Sequence, residues 1–319
     1  MAFETGTATG VNDLLTKLAT FLTAQGWTIN RNAVEGSGRW LSVQKGADLF
    51  LNFLSDPATS GTTDPGPWIH LRGATGYAGA SAFAAQPGVQ PNNCSANKMT
   101  GAFTGYWFFE GDDYIHVVVE IEAGRFRHLH GGTLEKACTF TGGTYCMGTS
   151  LFYSSVTPST PDTMSNTYPW SSVTSSAGSP YNQIRADAGE GVQWHANGQS
   201  ETYRHAGMWR EINSATGSEP HRVGYLRRML QATPSDVNGL AVLERPRALI
   251  RKTTGLFVNL GAPRDVRLVS IENLEPKAAL TLGSDEWIVF PWSVKSSTVN
   301  DATTDKSAFY GLAYRKNLA

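Results

Sequence analysis

Between Gly105 and Glu122 the chain reads Gly-Tyr-Trp-Phe-Phe, then Glu-Gly-Asp-Asp, then Tyr-Ile-His-Val-Val-Val-Glu-Ile-Glu. Aromatic and β-branched residues this dense, cut by a short acidic and glycine-containing break, make two strands folded back at a turn. Strand side chains alternate between faces, so Ile115, Val117, Val119 and Ile121 share one side and require a second layer to cover them. The same β material continues through Arg125-Phe-Arg-His-Leu-His-Gly-Gly132 and Thr139-Phe-Thr-Gly-Gly-Thr-Tyr145. The fold must therefore be organised around a sheet, with any helix packed on it.

One helix is legible. Leu14, Leu15, Leu18, Phe21 and Leu22 recur at three- and four-residue spacing, which predicts a helix over 11–26 with a single apolar stripe. Thr9 or Asn12 can cap its start, and Gly26 stands where a C′ glycine belongs. Strands are expected from Trp27, at Trp40–Val43, at Leu49–Phe53 and at Trp68–Arg72. A helix followed by such a meander reads as a two-layer unit, because one amphipathic helix covers one sheet face. Residues 73–102, rich in Gly, Ala, Pro and Asn without periodicity, read as a long loop.

The second half is less regular. From Ser154 to Pro180 the chain is dominated by Ser, Thr and Pro, and residues 181–220 carry scattered aromatics with few aliphatics. A short helix is expected around Arg222–Leu230. Strand patterns then return at Leu240–Leu243, Leu256–Leu260, Val266–Ile271, Ala279–Leu282, Trp287–Pro291 and Phe309–Arg315, with turns at 261–265 and 283–285. The reading is an α+β, predominantly β chain: an N-terminal helix on an antiparallel sheet (1–153), an irregular interface segment with a short helix (154–238) and a C-terminal β-rich region (239–319).

Charged residues are 17% of the chain, against a typical quarter, and glycines number 33. That suits short strands and turns better than long solvated helices. A formal charge of −1 argues against a dedicated nucleic-acid binder, which would be basic. No apolar run approaches the roughly 18–20 residues of a membrane helix, so no membrane partner is expected. The start, Met1-Ala-Phe-Glu-Thr-Gly6, has neither the basic nor the apolar part of a secretory signal, which leads to an expectation of cytoplasmic synthesis. Three cysteines, Cys94, Cys138 and Cys146, do not make a disulfide framework; reduced thiols are expected, with a Cys138–Cys146 bridge left open.

Catalytic signatures are absent: no G-x-S-x-G elbow, no phosphate-binding glycine loop, no G-x-G-x-x-G and no H-E-x-x-H. His128 and His130 would project to one strand face, as metal ligands must, with Cys138 and Cys146 nearby in sequence. Such spacing does not complete a zinc set, and no metal or cofactor is expected. Glu120 and Glu122 sit on alternate strand positions, as a glycosidase pair might, although nothing beside them reads as a sugar platform. The large aromatics Tyr77, Tyr168, Trp170, Trp194, Tyr203 and Trp209 lie in segments with little aliphatic support. That composition fits a surface buried against other chains. Between Arg222 and Arg267 nine basic residues, Arg222, Arg227 and Arg228 among them, meet three acidic ones, leaving 17 basic against 24 acidic elsewhere. Such asymmetry suits head-to-tail contacts between copies, or alternatively contact with DNA phosphates.

Three blocks, in order, resemble structural proteins of tailed-bacteriophage virions. The first runs from Glu4-Thr-Gly-Thr-Ala-Thr-Gly10 through Asp13–Leu18 to Gln25-Gly-Trp27. The second runs from Arg72-Gly-Ala-Thr-Gly76 through Gln86-Pro-Gly88 and Tyr106–Phe109 to Gly124-Arg-Phe-Arg-His128. The third joins Asp265-Val-Arg267 and Ile271–Pro276 to Leu282–Pro291. The resemblance implies a non-enzymatic virion component of the tail, baseplate or neck, assembled in the host cytoplasm. Its implied partners are copies of itself in a ring of six or a multiple and other virion proteins, with DNA contact if it lies in the neck. The helix followed by Gly-Trp is also similar to ring-forming tail-terminator and connector proteins. A receptor- or glycan-binding module is the alternative, on the aromatic and histidine-rich middle; a cell-wall hydrolase using Glu120 and Glu122 comes third.

Overall fold

The structure, a computed structural model, describes residues 1–58, 66–90, 93–149, 151–152, 163–164, 183–187, 209–211, 243–253, 256–295 and 310–316. Its centre is a seven-stranded antiparallel sheet in the order β1 (Ala2–Ala8), β7 (Phe103–Gly111), β8 (Tyr114–Glu122), β9 (Arg125–Thr133), β11 (Thr141–Gly148), β14 (Gln183–Asp187), β15 (Trp209–Glu211). A five-stranded meander lies on one side: β2 (Thr28–Glu35), β3 (Gly38–Lys45), β4 (Leu49–Asp56), β5 (Trp68–Ala74) and β6 (Cys94–Ala96). A four-stranded sheet of β18 (Val266–Ser270), β21 (Tyr310–Arg315), β20 (Asp285–Pro291) and β19 (Ala279–Leu282) lies on the other. Two small sheets complete the described strands: β10 (Glu135–Lys136) with β17 (Leu256–Ala262) and β16 (Ala248–Thr253), and β12 (Leu151–Phe152) with β13 (Thr163–Met164).

The helix α1 spans Val11–Ala24, and its predicted stripe is the buried one: Val11, Leu14, Leu15, Leu18, Ala19, Phe21 and Leu22. A helix of 14 residues is marginal alone. Each large apolar side chain it buries contributes about 1.5–3 kcal/mol, so tertiary packing holds it. The capping expectation needs correction. The N-cap is Gly10 with no side-chain cap, and Asp13 reaches back instead, accepting from the Thr9 N–H at 2.8 Å. Gly26 takes the left-handed conformation (φ 75°) expected just past the C-terminus.

The first core fills the space between α1, the meander and one face of the central sheet. Leu41, Val43, Leu51, Phe53, Ile69 and Leu71 meet Tyr106, Phe108, Leu129 and the expected Ile115-Val117-Val119-Ile121 stripe there. The other face of the central sheet is also covered. Trp107, Phe109, Val118, Phe126, Tyr145 and Met147 pack with Val266, Leu268, Phe290, Leu312 and Tyr314 in a second core. The two-layer expectation thus becomes a three-layer one, and the second core is built jointly from residues before 153 and after 239. Residues 73–102 are not wholly irregular, since Cys94–Ala96 pairs with β5. The middle segment, expected to be irregular, supplies β14 and β15 to the central sheet. The helix expected at 222–230 and the strand expected at 240–243 (apart from Leu243) lie outside the described residues.

Candidate functional site

Strands β8 and β9 pair so that His116 lies opposite His130 and Val118 opposite His128. Alternation then sends Leu129 into the first core, while Phe126, His128 and His130 turn toward the C-terminal sheet. There they meet Tyr314, whose ring stacks on His128 at 5.9 Å and on His130 at 5.6 Å between centroids. His128 Nδ1 lies 2.6 Å from Tyr314 Oη, and its Nε2 donates to Pro291 O at 2.8 Å. Tyr314 Oη is 3.3 Å from His130 Nε2, and His130 Nδ1 is 3.1 Å from His116 Nδ1. His116 Nε2 donates to Arg264 O at 2.9 Å. All three imidazoles are fully buried.

Burial sets their charge. Removing an imidazolium from water costs more than these hydrogen bonds return, so His116 is lowered to about 4 and His128 to about 3. His130 also falls well below its ordinary value, by burial first and then by its neighbours His116 and His128. The three rings are neutral at physiological pH. With no exposed surface, they cannot present a base to a substrate.

A charged rim borders this seam. Tyr114 stacks on His116 at 4.6 Å, and its hydroxyl donates to Asp265 Oδ2 at 2.8 Å; burial and then Asp265 push the phenol's pKa up. Asp265 also accepts from Arg315 Nη1 at 3.3 Å, and Arg315 pairs with Asp285 in addition. Asp113 sits 3.5 Å from Arg264, and burial raises its carboxyl. On the neighbouring position of β9, Arg127 is almost wholly buried. It donates from Nε to Asn97 O at 2.9 Å and from Nη1 to Ser293 Oγ at 2.8 Å, tying the meander side to the C-terminal side.

The carboxylates singled out from sequence are engaged separately. Glu120 is buried, 3.1 Å from Lys277 Nζ, and accepts from the Gly124 N–H at 2.9 Å. Glu122 is exposed and pairs with Arg125 at 2.6 Å, and the strand register shifts between the two. The metal candidates are divided as well. His128 and His130 face the second core, Cys138 packs at the edge of that core, and Cys146 belongs to the first. Cys138 and Cys146 therefore belong to different cores, and none of the three thiols is in a disulfide. Among the described residues no group of three or more His, Cys, Asp or Glu side chains is arranged to hold a metal ion.

Of the interface candidates, Tyr77 is half-buried. Trp209 contributes its backbone to the edge strand β15, opposite Arg185. Tyr168, Trp170, Trp194, Tyr203, Arg222, Arg227 and Arg228 lie outside the described residues. Part of the basic cluster has internal partners, Arg245 with Glu135 at 2.8 Å and Arg264 with Asp113.

Sequence reasoning missed a second polar cluster on the outer face of the meander. His70 Nδ1 is 2.6 Å from Ser95 Oγ, the Trp68 ring stacks on His70 at 3.5 Å, and burial and then Arg72 lower His70 to about 3. Both members of this pair are buried, which makes it a tie between β5 and β6. Alternation in Trp68-Ile-His-Leu-Arg72 could have marked that face. No local signal could have paired Tyr314 with rings 184 and 186 residues away. No protein-family model matches this chain, and no curated protein matches it.

Proposed function

We propose that this protein is a non-enzymatic structural subunit of a tailed-phage virion, forming part of a ring in the tail, baseplate or neck. The observation that carries the reading is where the three resembling blocks fall. The first supplies β1 and α1, the second the end of β5 with β7 and the start of β9, and the third β18 and β20. These elements contribute to the first and second cores, so the resemblance falls largely on packed elements. The polar chemistry agrees with a building block. Glu120 binds Lys277, Arg127 bridges layers, and the histidines are closed inside the fold, so each group serves packing.

Two measurements test this. Sedimentation velocity of the purified chain should give a closed oligomer of six copies or a multiple, and immunogold labelling should find the protein on purified particles of its phage. A monomer at tens of micromolar together with unlabelled particles overturns the proposal. Specific binding on a glycan array by a chain absent from rings would move the reading to a glycan-binding module.

A further inference from the structure

Two of the three thiols meet across layers. Cys94 on β6 and Cys146 on β11 are both fully buried in the first core, 52 residues apart in the chain. The Cys94 thiol donates from Sγ to Cys146 O at 2.9 Å. The Gln90 carboxamide lies beside both. Its Nε2 is 3.3 Å from Cys94 Sγ, and its Oε1 is 3.4 Å from Gly73 N, whose N–H faces the Cys146 thiol. Cys138, nearer to Cys146 in sequence, packs at the edge of the other core.

The usual spacing of sheets would keep such a pair apart. Packed sheets stand about 10 Å from each other, whereas the two Cα atoms of a disulfide lie within about 4.4–6.8 Å. At this spot the layers come closer, because Gly148 has no side chain. A Cβ there would stand 2.4 Å from Ser95 O and 2.9 Å from Ser95 N, so the backbones of β11 and β6 are in contact. Cys94 adjoins Ser95, and Cys146 precedes Gly148 by two positions, on the same face of β11. The glycine therefore brings the two cysteines together from facing layers.

We propose that Cys94 and Cys146 form an oxidisable latch: a low-molecular-weight disulfide such as oxidised glutathione converts the pair into a disulfide that ties the meander to the central sheet. β6 has three residues and pairs only with β5, at the end of its sheet. A short edge strand of this kind opens locally at less cost than the sheet interior, and opening admits the oxidant. One cysteine thiolate attacks a sulfur of the oxidant, and one glutathione thiol leaves. The second cysteine thiolate then displaces the other glutathione as the new S–S bond forms. Two cysteine thiols are oxidised, one small disulfide is reduced to two thiols, and these carry off both protons. In a reducing compartment the pair stays open and noncovalent contacts alone hold the layers. In an oxidising one the intervening loop of chain is closed.

Mass spectrometry of the full chain tests the latch. The reduced protein is treated with oxidised glutathione near pH 8, both folded and during refolding from urea, then alkylated and digested without reductant. A peptide holding Cys94 should be joined to one holding Cys146. The linked chain should melt about 5 °C or more above the reduced chain, and dithiothreitol should reverse the shift. Cys94→Ala should abolish both the link and the shift. Thiols at 94 and 146 still open to alkylation after refolding overturn the proposal. So does a link from Cys138 to either of them, a linked chain that melts no higher, or a shift that survives in the variant. If the variant does not fold, the wild-type comparison decides.

Discussion

Acid should unfold this protein steeply, and the steepness follows from four side chains. Burial lowers His70 and His128 to about 3, His116 to about 4 and His130 well below its ordinary value. In the unfolded chain each titrates near 6.5, so between 6.5 and the folded pKa the unfolded state binds protons that the folded state refuses. Stability is therefore intact above pH 6.5 and lost progressively below it. At pH 5 each such ring costs about 2 kcal/mol. His70, His116 and His128 together remove about 6 kcal/mol, with His130 acting in the same direction, against a total stability of about 5–15 kcal/mol. Asp113 works oppositely, since its raised carboxyl is relieved by protonation, but it is one group against four. Urea midpoints from tryptophan fluorescence, measured from pH 8 to 5 at constant ionic strength, should plateau above about pH 7. They should then fall toward a limiting slope of about 5 kcal/mol per pH unit, the linkage for four protons. His70→Gln should lower that slope by one proton while leaving the plateau folded. A slope of one proton or less in the wild type would refute the account of these rings as buried and neutral.

Three further outcomes are expected. Lys277→Met should cost about 1–3 kcal/mol in urea denaturation, because it strips buried Glu120 of its cation, whereas Glu122→Gln, at an exposed pair, should cost under about 0.5 kcal/mol; equal costs would contradict the burial argument. Gly148→Ala should destabilise by about 1–3 kcal/mol or more, since a Cβ there would stand 2.4 Å from the Ser95 backbone oxygen. Gly131→Ala should cost less, because the atoms nearest its added methyl belong to the Leu51 side chain, at 2.8 Å, and not to backbone. Thiol titration should find one reactive cysteine in the folded chain, the half-exposed Cys138, and three in denaturant, because Cys94 and Cys146 are buried and burial pushes the Cys146 thiol well up.

What could be read from the chain is what repeats over a few residues. The helix stripe from Leu14 to Leu22, the Ile115–Ile121 face and the shared side of His128 and His130 all follow from periods of 3.6 and 2, and each is as expected. Partners across layers carry no such signal. Lys277 reaches Glu120 over 157 residues and Tyr314 reaches His128 over 186, so a chemically plain sequence of acids and histidines could be read equally as a site or as a solvated face. The N-cap failed because Gly10 holds that position: Asp13 reaches back to the Thr9 N–H, and Asn12 is engaged by Ser37 and Ser55.

One available clue does anticipate the third layer. In a sheet covered on one side, the outward positions should be charged or polar; in β8 they are Tyr114, His116 and Val118, and in β9 Phe126, His128 and His130. These are residues of a surface that will be covered, with hydrogen-bonding groups that need partners once it is. The low charge of the whole chain, 17%, has the same origin, because a central sheet buried on both faces leaves fewer positions that water must solvate. The polar groups caught between layers are then obliged to satisfy one another. Pro291 O, Arg264 O, the three imidazoles and the phenol do so in one line of contacts. The rings caught there are held neutral by burial, so the joint between the layers is tied to pH as well as to apolar packing.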